Sequence, residues 1–487
     1  MTESQRLLFA VALTVIYVIW VAILLWRHYR PKLSKTAIDQ STFLIAYASQ
    51  SGNARALAEQ YANDKAGEYP VLLTRLSDLS LSELTHIKRA LFVVSTYGHG
   101  EPPDNGRSFY RSLQNPKNAS LSLQNLTFDV VALGDSHYPH FCAFGEQLYQ
   151  LLEKHGATAG AALTRLDHAK GETGKSAVFF ATGTSNNFIL DNRTQLNKTS
   201  ETPLFELSFF SDRMSWEAGD ILDILPANSE LEVTRWLHNH NISPDLEFDF
   251  ENQAWTAKRW LTYRQLNSPQ TDTSPVASLT ALPLNATRSY TIASIPEEKQ
   301  LKLIVRQHKL DNGKLGLGSG WLTHYVTVAE QVKGKIKPNP ACHIPALTSP
   351  LLLIGAGSGL AGIRAQLSKF TQPALAIKPS RIWLLYGERY PDKDDVLEQT
   401  LDTPIKSSTI RVDKVFSRCP NQPQYVQDKL VQSAKDVKAL VDAGGQIYVC
   451  GSYEGMGEGV HGALLAILGE EKVQFLIDTQ RYHRDIY

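Results

Sequence analysis

The sequence predicts a multidomain α/β protein with one N-terminal membrane helix, and three observations carry that expectation. The chain has 487 residues, and at ~150 residues per domain this suits about three domains. Short apolar runs of strand type alternate with helical segments towards both ends, the pattern of parallel sheets wrapped by helices. One uncharged apolar stretch near the start is long enough to cross a bilayer. Hydrophobic residues make up 43% and charged residues 20%, a composition of folded rather than disordered chains. Lysine plus arginine and aspartate plus glutamate balance at 49 each, so no global field favours nucleic acid. The cysteines Cys142, Cys342, Cys419 and Cys450 form no C-x-x-C pair. That argues against a zinc or disulfide scaffold, fits a reducing compartment, and leaves no metal site expected.

The membrane helix is read at Leu7–Trp26, 20 uncharged residues between Arg6 and Arg27. At 1.5 Å per residue it spans roughly 30 Å, one hydrocarbon core. A signal peptide is the competing reading, but the run ends in Leu24-Leu25-Trp26-Arg27 with no small-x-small cleavage site. Arg27, Arg30, Lys32 and Lys35 follow the helix, while Arg6 and Glu3 precede it. The positive-inside rule then puts residues 27–487 in the cytoplasm. A bacterial inner membrane is expected, or the endoplasmic reticulum if the source is eukaryotic. Residues 31–41 read as a linker.

In the first soluble unit, Phe43 to Ala48 reads as a strand and Ala54 to Lys65 as a helix, joined by Ser49-Gln50-Ser51-Gly52-Asn53-Ala54. Such a loop is an anion cradle, because free N–H groups and the helix dipole point at a phosphate. A serine-rich helix cap looks similar. Ala90 to Ser95 is a second strand, ending in Thr96-Tyr97-Gly98-His99-Gly100-Glu101. Phe128 to Leu133 is a third, ending in Gly134-Asp135-Ser136-His137-Tyr138-Pro139-His140-Phe141. In an open parallel sheet, ligands bind outside the carboxyl ends of the strands. There Tyr97 and Tyr138 can sandwich a planar ring. A phosphate and a planar ring together point to flavin mononucleotide (FMN).

These three loops resemble those of flavodoxin domains, in the form found in diflavin reductases: NADPH–hemoprotein reductase, the nitric oxide synthase reductase half and the sulfite reductase flavoprotein subunit. The resemblance implies a flavodoxin-like doubly wound sheet over residues 42–190. It assigns FMN contacts to Ser49, Gln50, Ser51, Gly52, Asn53, Ala54, Ser95, Thr96, Tyr97, Gly98, Leu133, Gly134, Tyr138, Phe141 and Asp167.

Residues 190–202 are polar and read as a hinge. Pro203 to Phe210 then alternates as a strand, and Gly219-Asp220 through Pro226 resembles a barrel strand of the same family. Residues 229–285 are weakly patterned, with a helix-like stretch from Ala254 to Tyr263, where the family inserts a larger helical region. Arg288-Ser289-Tyr290-Thr291 offers a guanidinium fork suited to a pyrophosphate, and Gly316-Leu317-Gly318-Ser319-Gly320-Trp321 is a glycine-rich loop opening an apolar stretch. A surface ion pair and a simple turn are the bland readings. Together the two segments resemble the FAD-binding pair of the ferredoxin reductase type. This implies an FAD-binding antiparallel β-barrel over residues 200–345. Arg288 and Ser319 would meet the diphosphate, Tyr290 the ribityl side and Thr291, usually serine, flavin N5. Ser289, Gly316 and Gly318 join that binding set.

Leu351 to Ile354 leads into Gly355-Ala356-Gly357-Ser358-Gly359-Leu360-Ala361-Gly362. A glycine-rich loop after a buried strand and before a helix is a pyrophosphate site. Strands at Ile382 to Tyr386, Ile410 to Phe416 and Gln446 to Cys450 complete a second parallel sheet over residues 346–487. Ser417 and Arg418 suit a 2′-phosphate. With Tyr425 and Gln427 they resemble the family's NADPH signature, in which Pro423 replaces a lysine and Ser452 an aspartate. By the same likeness Gly357 and Ser358 hold the dinucleotide, and Cys450 and Met456 lie near the nicotinamide. Asp485 orients the hydride site, and Tyr487, usually tryptophan, covers the FAD ring. Thr291, Cys450, Asp485 and Tyr487 are the expected catalytic set.

The resemblance covers roughly residues 42–487 and, together with the apolar stretch read as an anchor, implies a membrane-anchored oxidoreductase passing electrons from NADPH to FAD to FMN, then to a heme- or iron-containing one-electron acceptor. Narrower alternatives are a ferric-siderophore or metal reductase and a donor to a sulfite reductase hemoprotein. A catalytically silent flavoprotein scaffold is the alternative from another class.

Overall fold

The computed structural model describes residues 41–487 apart from 50–51, 98–99, 119, 137–139, 169–185, 212–214, 251–252, 267–273, 373–374 and 402–408. Strands β1 (Phe43–Ala48), β2 (Val71–Arg75), β3 (Arg89–Ser95), β4 (Thr127–Gly134) and β5 (Thr158–Ala159) form a parallel sheet in the order β2-β1-β3-β4-β5, with β6 (Thr164–Asp167) also on β4. Leu44, Ile45, Ala46, Phe92 and Val93 are fully buried. A parallel sheet is covered on both faces, so its central strands lack polar alternation. The strand order reverses between β1 and β3, and the loops following these two strands therefore flank the switch point where such folds bind ligands.

The second sheet is antiparallel. Its strands are β7 (Asn186–Gln195), β8 (Leu204–Phe210), β9 (Ile221–Ile224) and, after a hairpin of β10 (Glu247–Phe250) and β11 (Gln253–Thr256), β12 (Arg288–Thr291), β13 (Leu301–Arg306) and β14 (Gln331–Lys337). The order is β12-β9-β14-β7-β8-β13, and an Ile292–Leu303 bridge joins the two ends, which closes the sheet as a barrel. Residues 190–202, expected as a hinge, begin inside β7. Phe188 and Leu190 face the core, but a bulge between Leu190 and Asn192 shifts the register and breaks the alternation a reader looks for. The stretch over residues 229–285 is also more ordered than its pattern suggests. Helix Glu230–Asn239, the β10–β11 hairpin and helices Ala257–Leu261 and Pro275–Thr280 enclose their own core of Trp236, Phe248, Trp255, Trp260 and Leu279.

The third sheet is parallel, in the order β17-β16-β15-β18-β19, from β15 (Leu351–Ala356), β16 (Ile382–Glu388), β17 (Ile410–Phe416), β18 (Gln446–Gly451) and β19 (Tyr482–Ile486). Arg364 welds it to the barrel. This fully buried guanidinium donates to Glu298 at 2.8 and 3.0 Å, to Ala293 O at 2.7 Å and to Thr400 O at 2.8 Å. A buried charge needs this full set of partners to be tolerated.

The expectation of a single-pass membrane protein is corrected. Among the described residues no helix is long and apolar enough to cross a membrane. The longest, Asn53–Lys65, has 13 residues, roughly 20 Å against the ~30 Å of a hydrocarbon core. Leu7–Trp26, on which that expectation and the cytoplasmic placement rested, lies outside the described residues.

Candidate functional site

Three loop sets and one short strand make up the site. At the edge of the first sheet, Gly52 adopts a left-handed conformation (φ 84°) that turns the chain into helix Asn53–Lys65. Ser49 N–H donates to Asn105 Oδ1 at 3.0 Å, while Ser49 Oγ is buried without a partner among the described residues. Ala54 is buried in the first turn of that helix. Ser95 Oγ donates to Ala48 O at 3.3 Å, Thr96 N–H to Leu133 O at 3.0 Å, and Thr96 Oγ1 accepts from Phe144 N–H at 3.3 Å. These bonds tie the three loops to one edge. Gly134 pairs with Asp167, whose Oδ1 accepts Ser136 N–H at 3.0 Å, and Phe141 packs so closely that a Cβ on Gly134 would sit 2.8 Å from its ring. Gln50, Ser51, Gly98 and Tyr138 lie outside the described residues.

Tyr97 is 7% exposed. It meets Tyr453 edge-on at 5.5 Å and lies 5.3 Å from the Arg484 guanidinium. Arg484 in turn forms a buried ion pair with Asp104. Contacts from the first sheet's domain to the rest of the chain continue with Arg111 to Glu470 at 3.2 Å, His168 Nε2 to Thr287 O at 3.2 Å and Lys337 Nζ to Asn53 Oδ1 at 3.0 Å. The phosphate-type loop thus faces a cleft of about 1150 Å³ lined by the barrel and the last sheet.

On the barrel, β12 carries Arg288, Ser289, Tyr290 and Thr291. The glycine loop fits against it: a Cβ on Gly318 would lie 2.6 Å from Arg288 Cγ and 2.7 Å from Tyr290 OH. Gly316 opens this turn, and Ser319 Oγ accepts His308 N–H at 3.0 Å. Ser289 Oγ donates to Asp223.

At the third sheet, Gly357, Ser358 and Gly359 form one tight turn. A Cβ on Gly359 would collide with Cys450 O. We expect Gly359→Ala to lower stability by about 1–3 kcal/mol through overpacking, read by thermal unfolding of the whole chain; an unchanged melting temperature would show that the turn yields. Ser417 N–H donates to Glu388 O at 2.9 Å, and Arg418 Nη1 to Tyr390 OH at 3.3 Å. Tyr425 is exposed at the start of helix Val426–Gln432, Gln427 packs on Gly459, and Met456 is buried against Gly451.

The three sets converge on β19. Asp485 Oδ2 accepts from Thr291 Oγ1 at 2.9 Å, Tyr448 OH at 3.0 Å and Cys450 Sγ at 3.5 Å. Burial pushes the Asp485 carboxyl above its ordinary value, and these donors pull it part of the way back. Burial also raises the Cys450 thiol, with the Asp485 charge adding to it. Tyr487 follows, half exposed, its hydroxyl donating to Ser358 Oγ at 2.8 Å. Its backbone is fixed by Gly451 O and Tyr453 N–H. Three of the four expected catalytic residues therefore share one carboxylate oxygen.

A flavodoxin family model matches residues 45–180, and an oxidoreductase NAD-binding domain model matches residues 353–462. The chain is an NADPH-dependent flavoprotein oxidoreductase. It is 26% identical to the sulfite reductase [NADPH] flavoprotein alpha-component of Vibrio cholerae over 91% of this chain and 87% of that protein. For the Bacillus subtilis protein of the same name the identity is 24%, over 91% and 89%. For that of Escherichia coli K12 it is 25%, over 93% and 90%. The alignment with the Vibrio protein runs over 542 positions, more than the 487 residues here, so that relative carries segments this chain lacks.

Residue reading missed several members of the site. Asp104 and Arg484 lie in a loop and in the tail with no pattern to mark them, and Lys337 was not singled out. Arg306 was missed too: it sits against the Gly357 turn and donates to Glu388 at 2.6 Å and Thr202 O at 2.8 Å.

Proposed function

We propose that this oxidoreductase passes electrons from NADPH through FAD and FMN to a heme- or iron-containing one-electron acceptor protein. One observation carries the reading: neighbouring residues of β19 face the two flavin regions. Asp485 gathers Thr291 and Cys450 at the hydride side, while Arg484 reaches Asp104 and Tyr97 of the phosphate-loop domain. Successive strand residues point to opposite faces, so this strand suits a protein that must bring two flavins together.

The chain's groups fit the cofactors. The buried Ser49 hydroxyl, left-handed Gly52 and the start of helix Asn53–Lys65 suit the FMN phosphate. Arg288 and the close-fitting Gly318 suit the FAD diphosphate, and the Gly357–Gly359 turn with Ser417 and Arg418 suits NADPH. When bound, the flavins supply the conversion of a two-electron donor into single-electron transfer. Thr291, Cys450 and Asp485 hold protons in a buried pocket, and Tyr487 covers its mouth. Among acceptors, a sulfite reductase hemoprotein is favoured over a ferric complex, since the relatives are flavoprotein components of that enzyme.

Anaerobic mixing with NADPH tests the reading. Two flavins, FMN and FAD, are expected on extraction, with bleaching of both. Protein that takes up one flavin only, or that NADPH leaves oxidised, would favour a silent scaffold. Tyr487→Ala is expected to shift kcat/KM towards NADH, because a side chain covering the ring no longer has to be displaced by the nicotinamide. An unchanged NADPH to NADH ratio would remove the lid role.

A further inference from the structure

Lys337 is the last residue of β14, so it belongs to the barrel, yet it ends in another domain. Its Nζ donates to Asn53 Oδ1 at 3.0 Å, and its Cε lies 3.5 Å from where a Cβ on Gly52 would stand. Both contacts are with the turn that opens helix Asn53–Lys65. The Lys337 side chain is only 16% exposed, and the carboxylate beside it, Asp223, stands 3.8 Å away while already accepting Ser289 Oγ. A desolvated ammonium with an amide oxygen and a distant carboxylate is poorly compensated. Burial accordingly lowers its pKa, and Asp223 only partly restores it.

Lys335 stands two positions earlier, so it shares the strand face of Lys337, and both line the cleft opposite Ser49, Gly52 and Asn53. On the helix itself, Arg55 is paired with Glu59 at 2.7 Å on the exposed side. The barrel thus brings a cation to the turn that opens helix Asn53–Lys65, beside the buried Ser49 hydroxyl, and a helix N-terminus favours an anion.

We propose that Lys337 is a cross-domain clamp on the phosphate of FMN, so that an occupied phosphate loop holds its domain against the barrel. This rests on the FMN reading above. Lysine suits the task as a compact point charge on a flexible stem, able to let go when the domain swings out. Because the couplings are reciprocal, phosphate binding favours docking by the same factor that docking favours phosphate.

The test titrates full-length protein depleted of FMN but still holding FAD with FMN and, in parallel, with riboflavin, which lacks the phosphate, following quenching of the fluorescence of the added flavin. Lys337→Gln is expected to weaken FMN binding about tenfold, the size of one charge-assisted hydrogen bond, and to leave riboflavin unchanged. Lys337→Arg should recover most of the loss. In X-ray scattering, FMN but not riboflavin should compact the parent, and Lys337→Gln should abolish that difference. Retained FAD content in each variant shows that the barrel is folded. Equal FMN affinity in the parent and Lys337→Gln would overturn the clamp while leaving the FMN site standing. A parent that fails to bind FMN at all would overturn both.

Discussion

Replacing Asp485 with alanine is expected to slow flavin reduction by NADPH about 100- to 1000-fold, within the range that a positioned proton-holding group contributes. NADPH binding should change little, since the Gly357–Gly359 turn, Ser417 and Arg418, which we propose hold the dinucleotide, remain. The size follows from the geometry. One carboxylate oxygen receives the hydroxyls of Thr291 and Tyr448 and the thiol of Cys450, and all three donors are buried. Removing their common acceptor leaves donors unsatisfied and free to turn away from the reacting face. Asp485→Asn keeps one acceptor oxygen but adds an amide that donates into a set of donors, so it should fall between the parent and alanine. The carboxyl titrates at an ordinary 3.8 when unfolded and higher when buried. Its stabilising contribution is therefore complete below 3.8 and fades as pH rises through the folded value. Asp485→Asn removes this fading, so its stability relative to the parent should improve from pH 3 to pH 7. Stopped-flow bleaching at the parent's rate would exclude Asp485 from the reaction.

What the residues disclosed, and what they withheld, follows physical lines. The runs Phe43–Ala48, Leu351–Ile354 and Gln446–Cys450 were legible because strands buried on both faces are continuously apolar. The loops after Phe43–Ala48 and Leu351–Ile354 read as anion cradles because such a cradle needs hydroxyls and glycines in sequence. Helix Glu230–Asn239 carried a signal that went unread, a Ser229 cap accepting from Glu232 N–H. Strand β7 hid behind its bulge. The cross-domain partners were beyond reading: Asp104 and Arg484 are 380 positions apart, and a single charge on a loop carries no periodicity to mark the charge it will meet. The long apolar stretch taught a different lesson. Hydropathy and length admit a span without requiring one, and the described helices supply none.

Breaking the Arg484–Asp104 pair should produce the other large effect, and an asymmetric one. Arg484 is 3% exposed and Asp104 23%. Removing one member of a buried pair costs roughly 3–5 kcal/mol, mostly because the other is left buried and uncompensated. Asp104→Asn strands the deeply buried guanidinium, whose remaining described neighbours include the faces of Tyr97 and Tyr482 at 5.3 and 5.7 Å. Arg484→Met instead leaves Asp104 with Arg107 at 3.7 Å and some water. Asp104→Asn should therefore open the docked arrangement more than Arg484→Met does. The double variant should recover most of the loss, because it buries no lone charge. A cycle of the four proteins, read by X-ray scattering and by the rate of FMN reduction after NADPH addition, tests this. Additive effects would mean that the two residues act separately. Recovery in the double variant would show that β19 holds the phosphate-loop domain by this ion pair at the strand position next to Asp485, so that docking and hydride-site geometry answer to one short segment of chain.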